Sequence, residues 1–398
     1  MKLTSFALPA ALAAVIVLAL GYVGFQQYSL YQPSFVEQHW QKPLAPQGMP
    51  PEHFTELEAS LSPDACGQCH QQQYTDWQQS LHSKTMTAGL LWQLRLMPQN
   101  DANKCLDCHA PLAEQKALVA IEQNWPSAPS GALPSYVSED LAQQGLVCAA
   151  CHVRKHQRFG PEPLPTTELI GGEAHNGFGI QPEFSQSEFC ASCHQFPEDG
   201  PRTAGKLREN TYQEWLASPY ADQGVQCQSC HMSDRKHQWQ GIHFPNMVEQ
   251  AVSTELSLQD NRLIAKVTNS GAGHLFPTYM VPKVNVQLVL VTEDGEQLLQ
   301  EKVIGWQVSE DLLTEEFDTR LAPNESVELS YQFENKPVAG KVELRLAVAP
   351  AEHYERNYTT SLGYADKLDN ITLDLLKTAY KNAKSTRYTM RMRALELK

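Results

Sequence analysis

Hydrophobic and polar positions divide the 398-residue chain into four stretches. The first is an apolar run from Phe6 to Gly24 containing LAAVIVLAL, with Lys2 before it and no further Lys or Arg until Lys42. The run is at the short end for a membrane span, and its charge asymmetry places the N-terminus in the cytoplasm and the rest outside. No good A-x-A cleavage site follows it. Residues 1–24 are therefore read as an uncleaved single-pass anchor in preference to a removed signal peptide, and either reading exports the chain. Residues 25–52 are rich in Gln and Pro, end in KPLAPQGMPP and read as a linker.

Residues 53–248 show no long periodic segment. Short helical patterns are joined by Pro- and Gly-rich loops, and one helix is expected over Tyr74–Met97. From residue 249 the period becomes two. Val284, Val286, Leu288 and Leu290 share one strand face, as do Val327, Leu329, Tyr331 and Phe333, and Val342, Leu344, Leu346 and Val348. Asp294–Gly295 marks a hairpin turn leading into Leu298–Val308. A helix near Ile371–Ala383 with Ile371, Leu375 and Ala379 on one side is expected, then an edge strand from Tyr388 to Ala394. The fold class that follows is α+β: an N-terminal membrane helix, a mostly helical or irregular domain over 53–248, and an antiparallel β-sandwich domain over 249–398.

All ten cysteines fall in one pattern repeated five times: Cys66–Cys69–His70, Cys105–Cys108–His109, Cys148–Cys151–His152, Cys190–Cys193–His194 and Cys227–Cys230–His231. C-x-x-C-H is the attachment signature of c-type haem, in which the two thiols add to the vinyl groups and the His is the proximal iron ligand. Zinc ribbons do not require a His after every second Cys, and a thioredoxin-type motif needs a βαβ context that these sites lack. Five covalently attached haem c groups are expected. About forty residues per motif cannot bury a conventional core, so the macrocycles must form much of it.

The formal net charge is −14, to which five haems add up to about ten propionate charges. Within 53–248, 12 Lys and Arg face 21 Asp and Glu. An acidic surface of this kind does not suit nucleic acid. It suits redox protein partners with basic surfaces, or serves solubility alone.

Five of the fourteen histidines are proximal, and the sixth ligand of each iron decides between electron transfer and chemistry. Six distal candidates stand out: His82 in WQQSLHSKT, His156, His175 in GGEAHNGFG, His237, His243 and His274 in NSGAGHLFPTY. His156, four residues after His152, must reach a neighbouring haem or lie on the surface. His274 lies between glycines and a proline in the β-rich region, the mark of a loop reaching back to a haem. His39, His53 and His353 read as exposed. Met86, Met232 and Met247 are alternative axial ligands, but core packing is the commoner use of Met.

The segments CGQCHQQQYTDWQQSLH, CHVRKHQRFGP, EFCASCHQF, TYQEWLASPYADQGVQCQSCHM and GAGHLFPTY resemble the multihaem cytochromes related to the tetrahaem electron acceptor of hydroxylamine oxidoreductase, over roughly residues 60–285. The resemblance implies His82, His175, His243 and His274 as distal ligands and closely packed haem pairs relaying electrons. That family also contains a haem with an open iron. Five motifs and a long C-terminal region depart from the tetrahaem pattern.

The leading expectation is a membrane-anchored cytochrome on the periplasmic side of the inner membrane. It would relay electrons through five bis-His haems between a quinol-oxidising or dehydrogenase module and a soluble or outer-membrane acceptor. Two rivals stand: an oxidoreductase acting on a small nitrogen or sulfur compound at one open haem, and a haem-bearing docking or filament subunit. No C-x-x-C-K site of the pentahaem nitrite reductases is present.

Overall fold

Two antiparallel sheets in the second half of the chain share one apolar core, and the haem-motif region is assembled against them. The computed structural model describes residues 33–163, 175, 177–335 and 339–397. The expected anchor over residues 1–24 lies outside these; among the described residues no helix is long and apolar enough to cross a membrane. The chain divides into a short unit ending at Gln41 and a compact unit from Lys42 onward. Of the first, the described part is the helix Phe35–His39. It is closed by a capping box in which the Ser34 and Glu37 side chains bond each other's backbone N–H.

Within the compact unit each motif occupies about one helical turn. Positions i and i+3 of a turn share a face and i+4 follows on the same side, which sets two thiols and an imidazole around one ligand. His109, His152, His194 and His231 end the helices Gln99–His109, Cys148–His152, Ser187–His194 and Cys227–His231. His70 instead precedes the helix Gln71–Gln79.

The single helix expected over Tyr74–Met97 is broken in two. Ser80 turns extended and its hydroxyl donates to the Trp77 carbonyl, after which a 3-10 turn, His82–Lys84, leads to the helix Ala88–Leu94. A serine bonding its own helix's carbonyl competes with the helical pattern. Within residues 42–52, expected to be linker, Leu44 and Gln47 are buried. Leu44 is buried with Leu61, Leu112 and Leu141, and the Gln47 backbone N–H donates to the buried Glu114 Oε1 at 2.7 Å.

Short strands β1 (Val153–Arg154), β2 (Gln157–Gly160) and β3 (Phe178–Ile180) form a small sheet after the third motif, and β4 (Arg202–Thr203) pairs β5 (Lys206–Leu207). The large sheets follow. β6 (Val252–Gln259), β7 (Arg262–Asn269) and β11 (Ser326–Gln332) form one, in the order β11-β7-β6. The other runs β10-β9-β8-β12-β13, with β8 Lys283–Thr292, β9 Gly295–Val308, β10 Glu315–Asp318, β12 Gly340–Ala349 and β13 Tyr388–Leu397.

Leu263, Ala265 and Val267 of β7 meet Val284, Val286, Leu288, Leu344 and Leu346 in one buried cluster, each large side chain contributing about 1.5–3 kcal/mol. Thr292 pairs Gly295 across the anticipated hairpin turn, and β13 lies at a sheet edge as expected. β6 and β7 were not anticipated individually. Their turn, Asp260–Asn261, takes two left-handed residues (φ 47° and 61°), the preference of a two-residue hairpin.

The C-terminal helices bind this region to the motif region. Tyr358 of the helix Glu352–Leu362 and Leu376 and Ala379 of the helix Asn370–Ser385 pack with Ala88 and Trp92. Arg95 bonds Asp369 at 3.2 Å and the Thr372 hydroxyl at 2.8 Å. The face of the last helix differs from expectation. Thr372, Leu376, Ala379 and Ala383 are buried, whereas Ile371 is 61% exposed.

Candidate haem centres

Five of the imidazoles are held through Nδ1, which leaves Nε2 for a ligand. Nδ1 of His152 lies 2.7 Å from the Phe159 carbonyl on β2, that of His231 2.6 Å from Gln240 O, and that of His109 3.4 Å from Thr85 O. His237 and His274 do the same with the Arg235 and Leu275 carbonyls at 2.9 and 2.8 Å. A ring N–H donated to a carbonyl fixes the tautomer and leaves the other nitrogen's lone pair for a metal. Burial keeps these rings neutral, pushing His82 down to about 3 and His152 and His274 down to about 4. The buried Nδ1 of His82 has no hydrogen-bond partner among the described residues.

Four motif histidines each face a second histidine. His70 faces His175 with ring centroids 6.0 Å apart and planes at 13°, and His82 faces His194 at 6.3 Å and 45°. His152 faces His237 at 6.2 Å and 35°, and His231 faces His274 at 6.3 Å and 16°. Two metal–nitrogen bonds of about 2 Å, with the ring nitrogens about 1 Å from their centroids, give a separation of about 6 Å. The gaps fit an iron held between two rings.

The partners are remote in sequence. His82 and His274 are set by close backbone packing. The His82 carbonyl accepts from Leu146 N–H at 2.9 Å, and a Cβ on Gly145 would collide with that same carbonyl. The loop before His274 passes so close to the Gln250 carbonyl that only glycine fits at 271. Glu214, on the helix Thr211–Leu216, accepts from Leu275 N–H at 3.2 Å and the Thr278 hydroxyl at 2.7 Å. It also pairs with Arg320 at 3.3 Å, both side chains being buried. That buried contact ties the His274 loop to the motif region.

Two of the six distal candidates do not face a motif histidine. His156 is buried, donates its backbone N–H to Gln47 Oε1, places Nε2 3.2 Å from the Gly48 carbonyl and packs on the Tyr136 ring at 4.8 Å. It holds residues 47–48 in place. His243, which the resemblance implied as a ligand, is half-buried with Lys84 nearby; the turn ahead of it brings His237 to His152 instead. Asp234, Arg235 and Trp239 have positive φ there, a path that residue spacing does not reveal. His39 and His353, expected to be exposed, are buried.

All fourteen histidines are among the described residues, and none faces His109. The second motif therefore has an imidazole on one side only.

Motif neighbours are visible in the sulfurs. Cys66 and Cys148 lie within hydrogen-bonding reach, as do Cys108 and Cys193, and Cys190 and Cys227. Cys151 is within electrostatic reach of Cys190 and Cys193. The first motif adjoins the third, the third the fourth, and the fourth both the second and the fifth. A residue given no role from sequence stands at one of these joints. Lys42 Nζ lies 3.2 Å from Cys108 Sγ and donates to the Ser192 carbonyl. A single Lys in a Pro-rich stretch carries no signal of this.

The family model described as "Cytochrome c554 and c-prime" matches residues 65–129. Among solved structures, a penta-heme cytochrome c552 from Thermochromatium tepidum is similar in fold, with a TM-score of 0.56 at 19% identity. The likeness covers 85% of this chain and 99% of that one. No curated protein matches the chain. The motifs and these findings together describe a multihaem c-type cytochrome, with covalently attached haem c as its cofactor.

Proposed function

We propose that the protein is an exported electron-transfer cytochrome in which four haems are ligated by His70/His175, His82/His194, His152/His237 and His231/His274. The carrying observation is the set of four ring pairs at 6.0–6.3 Å. Two imidazoles hold an iron in nearly one geometry through oxidation and reduction, so little reorganisation opposes each hop. The neighbouring sulfurs support a relay from haem 1 to haem 3 to haem 4, branching to haems 2 and 5. Acidic composition supports basic redox partners. The apolar run Phe6–Gly24 supports attachment to the inner membrane from the periplasmic side, and retention in membrane fractions after carbonate washing checks it.

A second reading is favoured by one observation. With no histidine opposite His109, haem 2 is a place for a small molecule to bind at the end of one branch. Haem held there by Cys105, Cys108 and His109 would supply a redox-active iron able to bind a small molecule. The chain's part is to hold His109 through Thr85 O and to deliver electrons from haem 4.

The test is an EPR spectrum of the oxidised holoprotein together with carbon monoxide binding after reduction. Four low-spin haems and one that is high-spin and binds carbon monoxide are expected. Five low-spin haems without carbon monoxide binding would remove the second reading, and two or more high-spin haems would break the ligand pairs.

A further inference from the structure

We infer that Lys42 biases the branch at haem 4 by placing a positive charge between haems 2 and 4, which makes that pair the better electron acceptor. The inference rests on the haem order proposed above. The Lys42 ammonium lies 3.2 Å from Cys108 Sγ, donates to the carbonyl of Ser192 beside Cys193, and is within electrostatic reach of both sulfurs. Among the described residues, no Lys or Arg acts in the same way on Cys190 or Cys227 at the joint of the other branch.

Asp107, the one carboxylate among the described residues that acts on Lys42 electrostatically, is itself ion-paired with Lys116. The Lys42 charge is therefore left to act on the haems. An electron arriving at haem 2 or haem 4 adds negative charge beside it, and attraction favours the reduced form of each iron. In low dielectric such an attraction is worth far more than in water; Lys42 is an exposed residue, so added salt weakens it.

The experiment is a spectrophotometric redox titration of the holoprotein and of Lys42→Gln and Lys42→Arg, at low and high ionic strength. For Lys42→Gln, two of five midpoints should fall, each by about a tenfold change in the reduced-to-oxidised ratio, which is 59 mV for one electron. The effect should shrink in salt, and Lys42→Arg should keep the wild-type midpoints. Unchanged midpoints, or an equal shift of all five, would overturn the inference.

If Lys42→Gln fails to load haem, Asp107→Asn provides the reciprocal test. Freeing Lys116 from its partner adds net positive charge beside the same joint, so midpoints must rise there. An Asp107→Asn titration identical to wild type would also overturn the inference. The ligand pairs are judged separately, by the wild-type oxidised EPR spectrum, so failure of one reading is not mistaken for failure of the other.

Discussion

Replacing Glu214 with Ala should unfasten the loop that carries His274 while leaving every haem-attachment residue in place. The side chain makes three contacts: 3.2 Å to Leu275 N–H, 2.7 Å to the Thr278 hydroxyl and 3.3 Å to Arg320. Breaking a buried ion pair by removing one partner costs about 3–5 kcal/mol. Arg320 keeps Asp318 at 2.8 Å and its position over the Trp306 ring at 4.7 Å, which brings the ion-pair loss to the lower end of that range. The two orphaned donors add about 1 kcal/mol each. The expected loss is thus about 5 kcal/mol, concentrated where the His274 loop meets the motif region.

Denaturant unfolding followed by far-ultraviolet circular dichroism reads the stability, and EPR reads the iron opposite His231. Glu214→Ala should lower the midpoint and raise a new high-spin fraction. Glu214→Gln retains an acceptor for Leu275 or Thr278 and should lose less. A Glu214→Ala protein within about 1 kcal/mol of wild type, with unchanged low-spin signals, would show that the network does not position His274.

Further outcomes follow from the same geometry. His237→Ala should convert one haem to high spin while His243→Ala should not; the opposite result would reverse the pairing with His152. Leu376→Ala, at a fully buried position against Trp92 and Tyr358, should cost about 2–5 kcal/mol in denaturant unfolding. Glu343 is held at about 2 by hydrogen bonds from Lys341, Arg345 and Arg391. A folded-state carboxyl depressed in this way contributes stability above its ordinary value of 4.5, lost as pH falls towards 2. Glu343→Gln should therefore flatten the acid limb of a stability-versus-pH curve, and an equally steep limb would remove Glu343 from acid unfolding.

What was legible in the chain followed from covalent and periodic rules. Two thiols and an imidazole must share one helical turn to hold one macrocycle, so the five motifs and their helical turns were readable from spacing. Strand faces around Val286 and Leu344 were readable because a half-buried strand repeats every two residues. The facing histidines were only partly readable, because the partner of His82 lies beyond two further motifs, at His194, and no local rule spans that distance. Choosing His237 over His243 required the left-handed turn through Asp234 and Arg235. The helix break at Ser80 depended on which carbonyl its hydroxyl chose. The burial of Gln47 depended on Glu114 and His156, both far along the chain. The helix Glu352–Leu362 was missed because its buried face is built from His353, Glu355 and Tyr358 rather than aliphatic residues.

The four histidine pairs have a topological consequence. Joined through iron, residues 70 to 175, 82 to 194, 152 to 237 and 231 to 274 become cross-links, and each overlaps the next along the chain. Every peptide bond between His70 and His274 is then spanned by at least one iron bridge. A protease cut anywhere in that interval leaves two fragments that stay clasped until a ligand is lost. Each closed loop removes disorder from the unfolded chain as a disulfide does, about 4 kcal/mol apiece on the chain-entropy account. With all ten cysteines in C-x-x-C-H motifs, the proposed metal centres would take over the stapling that disulfides perform in many small secreted proteins.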